Sequence, residues 1–483
     1  MGLCFGLLAF SCDDSQSKPE CRAELPTWGL PADLGEQRIE SLRLPAEVAH
    51  VACLPSGLRR LSLSNSAVTS IDGLPDSIEV LDAEALKDVD WRSLPPRLTA
   101  LNALWSTPAP RQLPGSLREL SVTNVTSDAI AHLPAELEYL RIASQNIEAE
   151  LSPADLPRTL RRLLVEGVRF LSLVGMPPDL QEFSYRTSVV TNVSDLPEKL
   201  STLELIGPFS AIDPSFPAYL TILRLDRLDG GPWVAWPKYL RELEVRGAVA
   251  GTPVLDVGAL PRQLRKLKLT DVRLVGLDAG LPEELETFFV AGEGALPADF
   301  PLPEGLEELH LQNWGEESLP RLPDGLELLD LSWATPEELP ERFPAGMKEL
   351  IVAGPEVSAM LSALPASLET LRWDSEVGLP PLPSGLRTLE VCCTSGVWLD
   401  HLPENLQHLD LSGLELAALP SLPSTLLTLD IRHTGIPSIE RLEEMSPELR
   451  CLAVSPGSLG SLEGLPSSVA ELIFDDGSCE QTH

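Results

Sequence analysis

Leu54-Pro55-Ser56-Gly57-Leu58-Arg59-Arg60-Leu61-Ser62-Leu63 reads L-P-x-x-L-x-x-L-x-L, and the chain returns to this pattern about every 20 residues almost to its end. With the first Leu as position 0, the starts fall at Leu54, Leu74, Leu94, Leu113, Leu133, Leu156, Met176, Leu196, Phe216, Trp236, Leu260, Leu281, Leu302, Leu322, Phe343, Leu364, Leu382, Leu402, Leu422, Met445 and Leu465. Pro follows directly in every unit except that of Met445, where it slips to Pro447. Position +4 is always apolar. Position +7 is Leu except at Phe183 and Phe288, and position +9 is apolar from Leu63 to Phe474. A weaker unit carried by Ile39, Leu42 and Leu44 precedes them.

Positions +7 and +9 alternate, so they share one face of a short strand while +8 points to the other. Positions 0 and +4 add apolar groups from the approach to that strand. Pro at +1 has a fixed φ and no N–H, which suits an extended segment outside the ladder. One unit buries about four large side chains, each contributing roughly 1.5–3 kcal/mol. Ordering its backbone costs about 1–2 kcal/mol per residue. A single unit therefore cannot fold alone and must stack on its neighbours, with the strands side by side in a parallel sheet.

This pattern resembles the leucine-rich repeat, and its short Leu-Pro form resembles the bacterial type found in secreted effectors. The resemblance covers about residues 35–476. It implies a repeat solenoid: a leucine-rich-repeat horseshoe with a parallel concave β-sheet and a mostly extended or 3₁₀ convex side. Such proteins usually place Asn at +12 to tie successive turns together. Here that position holds Ser66, Leu86, Val125, Val168, Leu228, Val272, Trp314 and Leu414, so the inner turn is expected to pack apolarly. Effector relatives often carry a C-terminal ubiquitin-ligase domain; with nine residues after Phe474, none is expected in this sequence. Spacing stretches to 23 or 24 residues after Leu133, Trp236 and Leu422, which reads as loop variation and not as a domain boundary. The expected division is 1–21 as a signal peptide or disordered tail and 22–53 as an N-terminal cap with a degenerate first repeat. Residues 54–476 are then about 21 repeats, and 477–483 a C-terminal tail.

Charge is lopsided, with 72 acidic against 36 basic residues and a net charge of −36. Such a surface repels phosphate backbones and anionic membranes and favours a basic partner, so no nucleic acid is expected. Residues 1–12 are apolar and the chain turns polar from Asp13. The run is too short to span a bilayer. It resembles the end of a bacterial lipoprotein signal, with Cys12 as the lipidated residue and Ser11 before it; Phe10 and Ala9 depart from that pattern, and the run lacks Lys and Arg. Two readings stand: an exported, cell-envelope or secreted protein whose membrane contact is a lipid on Cys12, or a cytoplasmic protein with a frayed tail. Of eight cysteines, Cys21 and Cys53 flank the first repeat, Cys451 and Cys479 the last, and neighbouring Cys392 and Cys393 read as reduced packing residues.

Position +8 is left to carry recognition. Two groups stand out in it. Phe289 and Ile351 are large apolar residues on a row that is otherwise polar from Ser184 to Asp430, with His310 and Asp330 between them and Lys268 and Arg372 outside. Glu390, Asp410 and Asp430 fall on three successive strands, about 5 Å apart, close enough to raise one another's proton affinity. His408 at +6 and Arg432 at +10 flank them. The carboxylates read either as a docking patch for a cation or a basic peptide or as a solvated acidic face. Arg265, Lys266 and Lys268, with Arg241 and Arg246, form a basic stripe beside Glu242 and Glu244. The nine tryptophans, among them Trp236, Trp314 and Trp373, read mostly as core.

No phosphate loop, G-x-S-x-G, H-E-x-x-H or zinc spacing is present. His310 and Asp330 can hydrogen-bond across one strand step, but no nucleophile is placed beside them. The sequence therefore reads as a non-catalytic protein or peptide recognition scaffold with no cofactor and no metal. The alternative is a structural surface spacer or adhesin of the cell envelope. Oligomeric state is not legible.

Overall fold

The computed structural model describes residues 40–44, 48–51, 54–124, 132–145, 150–170, 172–188, 191–193, 195–207, 209–212, 216–228, 236–247, 253–292, 300–315, 319–392, 402–455, 464–469 and 471–473. The chain divides into two compact units, Met1–Tyr219 and Leu220–His483. Cys12, Cys21, Cys53, Cys393 and Cys479 lie outside the described residues.

In the first unit, short strands stack in parallel from Ser41–Arg43 and Arg60–Ser62 through to Glu182–Arg186 and Thr202–Ile206. The second unit repeats the arrangement from Ile222–Leu228 and Glu242–Gly247 to Cys451–Ala453 and Glu471–Ile473. The register follows the repeat: Leu61 lies opposite Leu81, Leu267 opposite Phe288, and Leu409 opposite Leu429. Each +7 residue thus stands beside the next, and the row is buried from Leu61 to Leu452. Positions +4 and +9 complete the core, with Leu58, Leu63, Leu306 and Trp373 each at most 1 % exposed.

The Leu-Pro step closes by a turn rather than by extension alone. The +4 amide donates to the Pro carbonyl at +1, as from Leu58 to Pro55 at 3.2 Å, Leu264 to Pro261 at 3.1 Å and Leu406 to Pro403 at 3.2 Å. Proline keeps its acceptor while losing only a donor that the sheet does not need. Where +3 carries Ser or Thr, its hydroxyl donates to carbonyls of the preceding repeat: Ser77 to Leu58, Ser116 to Leu98, Thr159 to Leu137 and Thr425 to Leu406, at 2.7–2.8 Å. These bonds tie turn to turn.

The +12 column is packed as expected, with Leu86, Val168, Val272, Trp314 and Leu414 all buried. Ser106 there also acts as a bridge, accepting from the Leu86 amide at 2.8 Å and donating to the Ala83 carbonyl at 2.6 Å. One residue earlier, +11 adopts a left-handed backbone in repeat after repeat. Asn65, Asn124, Asp271 and Asn313 tolerate it, but Ala85, Trp105, Arg227, Trp333 and His433 hold it as well.

The return side is mostly extended. It carries 3₁₀ turns at Pro153–Asp155, Val257–Ala259 and Leu277–Ala279, and small parallel pairs such as Val254–Asp256 with Arg273–Val275. The longer repeats after Leu133, Trp236 and Leu422 spend their extra residues there, the last on a short helix, Leu442–Met445. A further one-and-a-half-turn helix, Pro355–Met360, follows Gly354. Among the described residues no helix is long and apolar enough to cross a membrane.

Cys392 and Cys451 are each disulfide-bonded, which corrects the expectation that Cys392 is a reduced packing residue. They are not bonded to each other. Strands His408–Asp410 and Thr428–Asp430 stand between them, a separation of about 14 Å at the inter-strand spacing, beyond the reach of a disulfide.

Candidate functional site

The face of the second unit opposite its core is built from positions +6 and +8, which flank each buried +7 leucine. The burial pattern states this directly: in Lys266–Thr270 and Glu308–Gln312 only the second and fourth residues are buried. Every +8 residue from Arg224 to Asp430 is at least partly exposed except Asp330, which is 2 % exposed.

Asp330 is the organising group. Its Oδ2 accepts from Gln312 Nε2 at 2.7 Å and lies 3.1 Å from His310 Nδ1. Its Oδ1 accepts from the Ser332 amide at 2.9 Å and from the Ser332 hydroxyl at 2.5 Å. Burial opposes its charge, but the hydrogen bonds from His310, Ser332 and Gln312 outweigh that and hold the carboxyl below the usual carboxylate range. The imidazole and the hydroxyl sit on opposite oxygens of one carboxylate. That geometry fixes both groups on the carboxylate.

Around this network the face is apolar. Phe289, Leu328 and Ile351 are half-buried. Lys268 Nζ stands 5.1 Å above the Phe289 ring, and the His310 ring lies 5.5 Å from it on the next strand. Leu328 sits at +6 and faces Glu349 across the sheet, so it is a diagonal neighbour of Ile351. It was not singled out from the sequence because only the +8 column was read as the outward row.

Towards the start of the unit the face opens into a cavity of about 320 Å³ bounded by Arg224, Glu242, Glu244, Lys266, Lys268, Phe289 and His310. Glu244 pairs with Lys268 at 3.2 Å and with Arg224 at 3.6 Å. Arg265 of the basic stripe pairs with Glu286 at 2.7 Å.

Towards the end of the unit the face turns acidic. Arg372 is shared, with Nε 3.4 Å from Glu349 and 3.4 Å from Glu390. Asp430 is held by Arg432, whose Nε lies 3.0 Å from both carboxylate oxygens. Asp410 accepts from the Ser412 amide at 2.8 Å. Among the described residues no cation pairs with it. Burial pushes Glu390 up, Arg372 partly offsets this, and Asp410 and Glu349 add to it. Burial likewise pushes Asp410 up, against the Ser412 hydrogen bonds, with Asp430 adding a smaller push. The direction expected from the sequence holds for these two groups, with desolvation rather than mutual repulsion as the main cause. His408 lies 2.9 Å from the Thr428 hydroxyl.

Tryptophan needs a correction. Trp314 and Trp373 are core at 3 % and 1 % exposure, but Trp105 and Trp333 are 39 % and 56 % exposed. Both are at +11, where the left-handed backbone turns the side chain out of the stack. Asn or Gly at +11 signals that geometry in a sequence; Trp does not. Trp333 lies against Gly354, where a Cβ would come within 3.2 Å of its ring.

The strand-and-return unit of about 20 residues, stacked in parallel in both halves, decides the architecture. The fold is a leucine-rich-repeat solenoid. No family model and no curated protein matches the chain. Solved structures do. YopM from Yersinia enterocolitica WA-314 is similar at 22 % identity over 96 % of each chain, with a TM-score of 0.39. The circular LRR protein CroV588 matches at 17 % identity over 92 % of this chain and 80 % of that one, with a TM-score of 0.43. TLR13 in its complex with ssRNA13 matches at 16 % identity over 89 % of this chain and 74 % of that one, with a TM-score of 0.48.

Proposed function

We propose that this protein is a non-catalytic recognition scaffold that docks another protein on the open sheet face of its second unit, between Lys268 and Asp430. The observation that carries this reading is the half-buried apolar trio Phe289, Leu328 and Ile351 on a face whose buried polar network, centred on Asp330, is already satisfied. Partly exposed apolar groups over a rigid base lose little entropy on binding and are the usual anchors of an interface. A photo-crosslinking side chain placed at Arg372 should give a discrete adduct in cells, and one at Ser121 in the first unit should not. Equal labelling from both sites, or none from either, overturns the reading.

The same proposal places the protein in the cell envelope of a bacterium, tethered by a lipid on Cys12. The disulfide-bonded state of Cys392 and Cys451 supports an oxidising compartment. Mass spectrometry of the mature N-terminus tests it. A diacylglyceryl mass on Cys12 is expected, and an intact Met1 contradicts it.

A further inference from the structure

The face of the second unit is unevenly neutralised, and the imbalance is next to its apolar seat. Glu349 and Glu390 share one cation, Arg372, while Asp410 is held by Ser412 and, among the described residues, has no cation in direct contact, Arg432 being engaged on Asp430. Burial raises the proton affinity of all three carboxyls, so each gains from an added positive charge. Leu328 and Ile351 lie beside them with no polar demand beneath, because Asp330 is satisfied by His310, Gln312 and Ser332.

Resting on the docking reading above, we propose that the occupant is a linear segment carrying one apolar side chain and, three or four residues along, one basic side chain. The apolar group seats on Leu328 and Ile351, and the basic group enters between Glu390 and Asp410. The spacing follows from the sheet. Ile351 and Glu390 are two strands apart, and Ile351 and Asp410 three. At about 4.8 Å per strand these gaps are roughly 10 and 14 Å, which an extended chain at about 3.3 Å per residue crosses in three or four residues. Charge complementarity selects this occupant. A second copy of the chain brings another net charge of −36 to an acidic face, and a nucleic acid brings phosphates.

The test is selection of a phage-displayed library of random 12-residue peptides on the full chain, followed by binding of the selected peptides to three variants. Enriched peptides are expected to pair an apolar residue with Arg or Lys at a separation of three or four. Their affinity should fall about tenfold on Ile351→Ser and about fivefold on Asp410→Asn, and stay unchanged on Leu164→Ser. Peptides that need Ile351 but show no basic residue at that spacing overturn this proposal and leave the docking reading standing. Peptides indifferent to Ile351→Ser, or no enrichment at all, overturn both.

Discussion

The two units use one architecture and present two different faces. In the first, the outward row is mostly paired with itself, with Leu164 a single half-buried apolar member. Asp82 accepts from Ser62 at 3.2 Å and from Asn102 at 2.8 Å, and Glu204 accepts from Ser184 at 2.6 Å. Tyr139 is covered by Arg162, whose guanidinium lies 4.9 Å from the ring centroid. In the second unit, Phe289 is covered in the same way by Lys268, but Leu328 and Ile351 are left half-open, and among the described residues no cation is in direct contact with Asp410. Below the face both units are alike: buried +7 and +9 rows, the Pro-carbonyl turn, parallel register. The repeat therefore supplies the scaffold, and on the proposed reading recognition depends on where the outward rows are left unsatisfied.

That comparison can be broken at its base. Leu163→Ala in the first unit and Leu329→Ala in the second remove equivalent +7 side chains, both fully buried. Each should cost about 2–5 kcal/mol, read by local hydrogen exchange and denaturant unfolding. A large difference between them would show that the units are not built alike. One residue along, Phe288→Ala should cost about 3–5 kcal/mol, while Phe289→Ala leaves unfolding nearly unchanged.

A smaller effect separates the polar networks. Asp330→Asn strips the charge from a buried acceptor, and should cost about 1–3 kcal/mol. Asp82→Asn, half-exposed, should cost less. The sign with pH is fixed: Asp330 is held below the usual carboxylate range, so its stabilisation is present above the unfolded value and lost as pH falls through the folded one. Wild type should lose stability there and Asp330→Asn should lose less.

The smallest effect has the opposite sign. Asp410 is raised by burial, so its favourable contribution is present below the unfolded value and lost as pH rises through the folded one. Asp410→Asn should therefore unfold at a slightly higher temperature than wild type at pH 7, with the gap closing near pH 4, about the ordinary carboxylate value. A variant less stable at pH 7 would mean that the charge is already compensated.

Much of this was legible from Leu54–Leu63 alone. A period near 20 with two alternating apolar positions dictates strands, register and core, because a one-residue slip would expose every +7 leucine. The row from Lys268 to Asp430 was legible for the same reason, as was the bond between His310 and Asp330. Three things were not. Leu328 and Glu349 share the outward face from +6, a position that varies too much to announce itself. The left-handed backbone at +11 was hidden wherever Ala, Arg, His or Trp occupies it, so the exposure of Trp105 and Trp333 did not show. The sinking of Asp330 beneath its neighbours depends on Gln312 and Ser332, whose side chains converge only once adjacent turns are stacked.

The central claim is that recognition belongs to the face of the second unit. Quantitative affinity capture from the native cells tests it most directly, using wild type, the double variant Phe289→Ala/Ile351→Ser, and Leu164→Ser. Wild type and Leu164→Ser should retain the same specific protein, and the double variant should lose it at least tenfold while melting as wild type does. Identical capture by all three would contradict the account.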